Sequence, residues 1–294
     1  MKIATKLLRW YRVHGRDLPW RHTRNPYHIL VSEMMLQQTQ VERVKLFYRR
    51  WIRQFPTWKH LAQASTQEII HAWAGLGYNR RVLALRDIAQ KISQHGVPRT
   101  QEEWMALKGI GPYTAGAVSV FAQKKRVLPI DTNIRRVLGR VLLGKPFSDL
   151  QDDKKIQKLS EDFLPHRGAY YDVPQALFDL ATMTCTKVPD CTRCPLREQC
   201  KSSKLFLSGT VKIPKRMTKA SKERRHRNKP YPDRIYRGRI LKIVREKTKI
   251  SIEAIGPLID KTYNHHLDQV WMKSMIQRLS QEGFIKQKGN NLFL

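Results

Sequence analysis

Leu107-Lys108-Gly109-Ile110-Gly111-Pro112-Tyr113-Thr114-Ala115-Gly116-Ala117 is the stretch whose reading decides the fold. Two glycines one residue apart, a proline suited to a first helical position and a run of small residues describe a hairpin opening a closely packed helix. Without side chains at Gly109 and Gly111 the backbone of the turn can approach a phosphate, and N–H groups at the start of the next helix point at the anion. Asp131 follows, in Pro129-Ile130-Asp131-Thr132-Asn133, at a capping position where N–H donors and the helix dipole keep a carboxylate ionised. Taken alone it is an ordinary N-cap; beside the hairpin it predicts a grip on DNA next to an acid. Tyr113 excludes one chemistry, because a lysine there could form a Schiff base and a tyrosine cannot.

Composition agrees with that reading. The 294 residues carry 56 Lys+Arg against 24 Asp+Glu, a net charge of +32, with 41% hydrophobic content, enough for an ordinary globular core. Such an excess opposes compaction unless a polyanion neutralises it, which points to nucleic acid ahead of an anionic membrane. Met1 to Trp10 has no apolar run of signal-peptide length and no later stretch approaches a transmembrane span. The expectation is a cytoplasmic, nucleoid-associated monomer that does not engage membrane.

From Asn25 to about Cys200 the pattern is helical and predicts an all-α body. Asn25-Pro26 reads as a cap with proline at N1, and Val44, Tyr48, Trp51 and Phe55 recur at helical spacing. Ser65-x-x-Glu68 and Thr100-x-x-Glu103 have the form of capping boxes. Ile134, Val137, Leu138, Val141 and Leu142 mark the apolar face of a helix after Asp131. Residues 1–200 are therefore read as one domain, closing in a cysteine loop at 185–200. Residues 201–232 hold Lys201, Lys204, Lys212, Lys215, Arg216, Lys219, Lys222, Arg224, Arg225, Arg227 and Lys229 against Glu223 alone, and read as a mobile basic linker. From 233 to 294 periodicity returns. Helices around 237–247 and 252–261, a third carrying Trp271, Met275 and Leu279, and a hairpin turning at Gly289-Asn290 form a small winged-helix-like α+β domain, a module that binds DNA or protein.

Two acids carry the chemistry. Glu33, flanked by Leu30, Val31, Met34, Met35 and Leu36, is set to be desolvated, which raises its pKa and lets it hold a proton near neutrality. An arginine-paired buried carboxylate is the plainer outcome for such a residue. Together, Glu33 as proton donor and Asp131 as a fixed negative charge suit cleavage of a purine N-glycosidic bond, the division of labour glycosidases use. A stacked base lies out of reach of both, so the nucleotide must flip out and a wedge must fill the gap. Gln38 and Tyr78, the latter in Gly75-Leu76-Gly77-Tyr78, are the candidate wedges. The four cysteines, Cys185, Cys191, Cys194 and Cys200, have the spacing Cys-x5-Cys-x2-Cys-x5-Cys. A 4Fe-4S cluster fits it best, one tetrahedral zinc second and a disulfide pair third.

Leu18-Pro19-Trp20-Arg21, Ser32-Glu33-x-Met35-Leu36-Gln37-Gln38-Thr39-Gln40-Val41, Gly75-Leu76-Gly77-Tyr78, Leu107-x-Gly109-Ile110-Gly111-x-Tyr113-Thr114-Ala115 and Asp131-x-Asn133 resemble the A/G-specific adenine DNA glycosylases of the helix-hairpin-helix superfamily. The resemblance spans about Leu7 to Cys200. It implies a two-lobed all-α fold with an iron-sulfur loop, and removal of adenine mispaired with 8-oxoguanine or guanine from double-stranded DNA. It assigns protonation of adenine N7 to Glu33 and stabilisation of the sugar cation to Asp131, with a transient covalent link to Asp131 as a variant. Asn133 would orient the reacting groups and Tyr113 would support the pocket. Trp20 and Arg21 would stand near the flipped base, with Gln38 and Tyr78 entering the stack. Tyr113 stands where the related endonuclease III enzymes have lysine, so strand cleavage is not expected and the enzyme should be monofunctional. The family usually places six residues between its first two cluster cysteines, whereas Cys185 and Cys191 enclose five. The nudix-like C-terminal domain of full-length members has no counterpart after Cys200, so the resemblance leaves the opposite base open. The rivals are a T/G-mismatch thymine glycosylase, since archaeal enzymes of that kind have a similar tyrosine and aspartate, and a non-catalytic DNA-binding regulator working through the winged helix.

Overall fold

The computed structural model describes residues 3–214, 223–227 and 229–294. In chain order the helices are α1 (Ile3–His14), α2 (Pro26–Leu36), α3 (Val41–Gln54), α4 (Trp58–Gln63), α5 (Thr66–Trp73), α6 (Arg80–His95), α7 (Gln101–Met105), α8 (Pro112–Phe121), α9 (Thr132–Leu138), α10 (Asp153–Phe163), α11 (Val173–Met183) and α12 (Ser203–Leu207). The C-terminal region follows as α13 (Asp233–Lys247), β1 (Lys249–Ser251), α14 (Ile252–Ile259), α15 (His265–Gln281), β2 (Lys286–Lys288) and β3 (Asn291–Phe293). The chain divides into two compact units, Met1–Arg49 with His95–Lys215, and Arg50–Gln94 with Arg216–Leu294.

In the first unit α11 packs against both α9 and α1, while α8 packs against α2 and α7. The sequence of α11 explains its place: proline near its first position pre-sets the helical φ, and Val173, Ala176, Leu177, Leu180 and Ala181 return to one buried stripe. That stripe meets Leu7, Leu128, Ile134, Val137, Leu138 and Leu196 in one apolar cluster. Burying each such side chain contributes roughly 1.5–3 kcal/mol. α8 is buried from Thr114 to Phe121, as its small residues allow close approach of its neighbours. The helix expected after Asp131 changes character at Leu138 and continues as a π-helical turn, Gly139–Leu143. The wider turn leaves Ile134, Val137, Leu138 and Val141 buried but carries Leu142 toward the edge of the core.

Capping chemistry sets the helix starts. The Asn25 side chain accepts the Tyr27 N–H at 2.9 Å. At Ser65 both reciprocal bonds of the capping box are present. Thr100 accepts the Glu103 N–H at 3.2 Å, but the Glu103 carboxylate accepts from the Arg99 N–H at 2.6 Å, so the second expected box closes one residue early.

In the second unit, α13, α14 and α15 pack on one another and the strands form an antiparallel sheet in the order β1-β3-β2. Ile250 and Gln287 both pair with Leu292, and the two-residue turn Gly289-Asn290 closes the β2–β3 wing. Tyr236, Ile240, Val244, Ile255, Met275 and Leu292 fill the core. This is a winged-helix-like α+β domain; β1 lacked a signal in sequence because three residues are too few to show alternation.

The basic stretch 201–232 differs from a uniform linker. Its start is helical, in α12, where the Ser202 N–H donates to Arg140 O at 3.2 Å. Its end is anchored on the winged helix: the His226 ring stacks on Trp271 at 4.7 Å, and Lys229 Nζ lies 2.5 Å from Asp260 and 2.7 Å from Asp268. Lys215, Arg216, Lys219 and Lys222, counted in that linker, lie outside the described residues. No described helix is long and apolar enough to cross a membrane.

Candidate active site

The hairpin begins with Gly109 at φ 97°, a left-handed conformation that favours glycine. Gly111 is extended and caps α8, and a Cβ built on it would meet nothing within 4 Å. Packing inside the protein does not demand a glycine here, and the space beside its backbone is open. Pro112 starts α8 and brings Tyr113 into its first turn, where the Tyr113 hydroxyl hydrogen-bonds the Glu33 carboxyl and the ring stands edge-on to Phe178 at 6.3 Å.

Glu33 arrives on α2, which is buried without a break from Ile29 to Met35. With 7% of its surface exposed, its carboxyl is pushed up to about 7. Burial is the main cause; the nearby Asp131 charge adds to it and the Tyr113 hydrogen bond opposes it. No arginine pairs with Glu33 among the described hydrogen bonds and ion pairs, so the plainer outcome for a buried carboxylate is not the one found.

Asp131 is the N-cap of α9. One carboxylate oxygen accepts N–H bonds from Asn133 at 2.8 Å and Ile134 at 2.7 Å, and the other accepts from the Asn133 side-chain amide at 2.7 Å. Burial raises its pKa, opposed by those three donors and the Arg136 charge. Burial also drives the Tyr113 hydroxyl well above the usual phenol range, reinforced by both carboxylates, so Tyr113 stays a neutral donor.

Glu33, Asp131, Tyr113, Asn133, Trp20, Arg21 and Gln38 all line one cavity of about 520 Å³ within the first unit. Trp20 is held edge-on to Tyr48 at 5.5 Å. Arg21 reaches the cavity wall, but its guanidinium is committed to Asp179, with bonds of 2.7 and 2.9 Å, and to Arg16 O at 2.9 Å. Arg16 joins the same carboxylate through its Nε at 2.7 Å. Asp179 is fully buried; burial works to raise its pKa, and the two arginines outweigh it, leaving it low. Arg16, Gln175, Phe178 and Thr182 also line the cavity and were not foreseen. Asp179 had a visible signal, a lone charge in the apolar run Val173–Met183.

Tyr78 belongs to the second unit and is 62% exposed. Its backbone is left-handed at φ 47°, and that of Gln38 at φ 56°. A buried Arg81 donates to Gly77 O at 3.0 Å and Tyr78 O at 3.3 Å, while Trp73 Nε1 donates to Gly77 O at 3.1 Å. The Gly75–Tyr78 loop is thus held by its carbonyls with the Tyr78 ring turned outward.

Cys185, Cys191, Cys194 and Cys200 line one small cavity and are all free thiols. Arg140, fully buried, donates to Cys185 Sγ at 3.3 Å and to Thr186 O and Lys187 O at 2.6 and 3.0 Å. Burial pushes the Cys194 thiol up to about 12. Four cysteines converging from one loop on a shared cavity, under a fixed cation, fit a thiolate-ligated group. Among the described residues no three Cys, His, Asp or Glu side chains stand close enough to hold a single metal ion.

Residues 31–166 match the model of the HhH-GPD superfamily base excision DNA repair proteins. An adenine DNA glycosylase of Mycobacterium tuberculosis is 41% identical over 197 residues, 65% of each chain. One of Mycolicibacterium smegmatis is 34% identical over 299 residues, covering 98% of this chain and 94% of that one. Among solved structures, a thermostable thymine-DNA glycosylase superposes with a TM-score of 0.64 at 28% identity, over 69% of this chain and 95% of its own. Fold, cavity and similarity over nearly the whole length agree: the chain belongs to the adenine DNA glycosylases of the HhH-GPD superfamily.

Proposed function

We propose that the protein is a monofunctional DNA glycosylase that hydrolyses the N-glycosidic bond of adenine mispaired with 8-oxoguanine or guanine in duplex DNA. The observation that carries this is Glu33, a buried carboxyl titrating at about 7, sharing one cavity with an N-cap carboxylate. At neutral pH a large fraction of Glu33 is protonated and can give that proton to purine N7, making the base a better leaving group. Tyr113 holds the carboxyl in place. As the bond breaks, positive charge develops on the sugar, and Asp131, oriented by Asn133 and its own helix, is the anion beside it. Water, or Asp131 itself transiently, takes the sugar carbon. Tyr113 cannot form a Schiff base, so the strand stays intact until alkali cleaves the abasic site.

A base stacked in the duplex cannot reach this cavity, so the nucleotide must enter it flipped out. Gln38 and Tyr78, non-glycine residues in the left-handed region at a cost of about 1–3 kcal/mol each, are the residues assigned to fill the vacated stack. Cys185, Cys191, Cys194 and Cys200 would hold a 4Fe-4S cluster, with zinc the second candidate. Bound, the cluster would cross-link the loop rather than take part in excision. Visible charge-transfer absorption and about four iron atoms per chain are expected; a colourless, iron-free, folded protein would refute it. The thymine reading draws support from the thymine-DNA glycosylase similarity. Glu33 favours adenine, because thymine has no N7 for its proton. Single-turnover base release from duplexes with A opposite 8-oxoguanine, G and C, and with T opposite G, tests the choice. Adenine release opposite 8-oxoguanine or G supports the proposal, and thymine release alone overturns it.

A further inference from the structure

We propose that the winged-helix-like domain is a second duplex-binding element of this chain, laying α15 in the major groove and the β2–β3 wing on the flanking phosphates. The proposal goes beyond the excision reading and does not depend on it. α15 buries Trp271, Met272, Met275, Ile276 and Leu279 in the domain core. The opposite face, unpartnered within the domain, carries His266, Val270, Lys273 and Gln277 at helical spacing, all exposed. These are residue types that read base edges: Lys to guanine O6 and N7, Gln to adenine N6 and N7, and Val to a thymine methyl. The wing presents Lys286, Gln287, Lys288 and Asn290, all exposed.

What commits the face to DNA is the placement of the domain's acids. Asp268 is the one carboxylate on α15, on the core-facing side of the helix with Trp271, Met272 and Met275. It is 2% exposed, turned inward, with Lys229 at 2.7 Å and His226 at 3.1 Å. Asp260 shares Lys229, Asp233 accepts from Trp271 Nε1 at 2.9 Å, and Glu282 is held by Arg80 and Arg237, each at 2.6 Å. The exposed face of α15 thus carries Lys273 and no carboxylate, the wing adds Lys286 and Lys288, and the domain's exposed acids, Glu246 and Glu253, lie on α13 and α14. The exposed apolar residues there, Leu267 and Val270, form too small a patch for a stable protein interface.

The test measures binding of the full chain to an undamaged duplex without a mispair, by fluorescence anisotropy over a range of salt concentrations. The Lys286→Ala/Lys288→Ala protein should bind about tenfold or more weakly near physiological salt, and its slope of log affinity against log salt should be shallower by about 1.8, at roughly 0.9 per lost phosphate contact. Lys242→Ala/Lys247→Ala on α13 removes the same charge elsewhere in the domain and should leave the slope unchanged. Lys273→Ala adds a further loss from the helix. All five positions are exposed, and unchanged melting curves would confirm that the fold survives. Equal slope changes from the wing and α13 pairs would mean undirected attraction and overturn the proposal. No change from the wing pair would also overturn it and leave α15 as a protein-docking face.

Discussion

Glu33 gives the molecule a pH dependence just below neutrality. Its pKa is raised in the folded state to about 7 from 4.5, so between those values the folded chain binds more protons than the unfolded one. Stability from this group is therefore greatest at low pH and declines as pH rises through that window, the cost levelling above about pH 7 at about 3 kcal/mol. If, as proposed, Glu33 donates the proton, excision needs its protonated form, and the single-turnover rate should fall about tenfold per pH unit above 7. Glu33→Gln removes the proposed proton donor and the buried charge together. Its excision rate should drop by about 10²–10⁴, while its melting temperature at pH 8 rises above wild type, readable by calorimetry. The stability gain shrinks toward pH 5, where both proteins are neutral at this position.

At the scale of elements, the site depends on how α2, α8, α9 and α11 are held. Asp179 on α11 fixes Arg16 and Arg21 at the cavity wall, and Asp179→Ala would leave two cations facing an apolar helix, at a cost of about 3–5 kcal/mol in chemical denaturation. At Gly139, which opens the π turn after α9, an added Cβ would stand 1.8 Å from Ser148 Oγ and 2.6 Å from Ser148 Cβ. Gly139→Ala should destabilise by about 1–3 kcal/mol, and Ser148→Gly in the same chain should recover most of it. Much of this was legible in sequence. Caps announced α2, α5 and α9, and the apolar setting of Glu33 announced its raised pKa. The lone acid of Val173–Met183 was visible as well, yet its partners lie more than 150 residues earlier, and no periodicity says which of 56 cations will meet it. The π turn was hidden because one residue of extra width changes no apolar count.

Across the whole molecule, the charge of +32 and the glycine hairpin both pointed to DNA, and the similarity to adenine DNA glycosylases places the chain in that family. Composition could not show where the basic residues act. Part of the stretch after Cys200 folds into α12, and Lys229 enters the winged-helix region as a buried counter-ion rather than a free cation. Duplex binding by the full chain should nevertheless weaken steeply with salt, with a slope of log affinity set by the number of lysines and arginines that meet phosphate. The most direct test is single-turnover release of adenine from a duplex with A opposite 8-oxoguanine, followed across pH for wild type and Glu33→Gln. The account predicts adenine release that leaves an alkali-labile site, falls off above about pH 7 and is lost in the variant. Release that is flat through pH 7, or undiminished by Glu33→Gln, would contradict it.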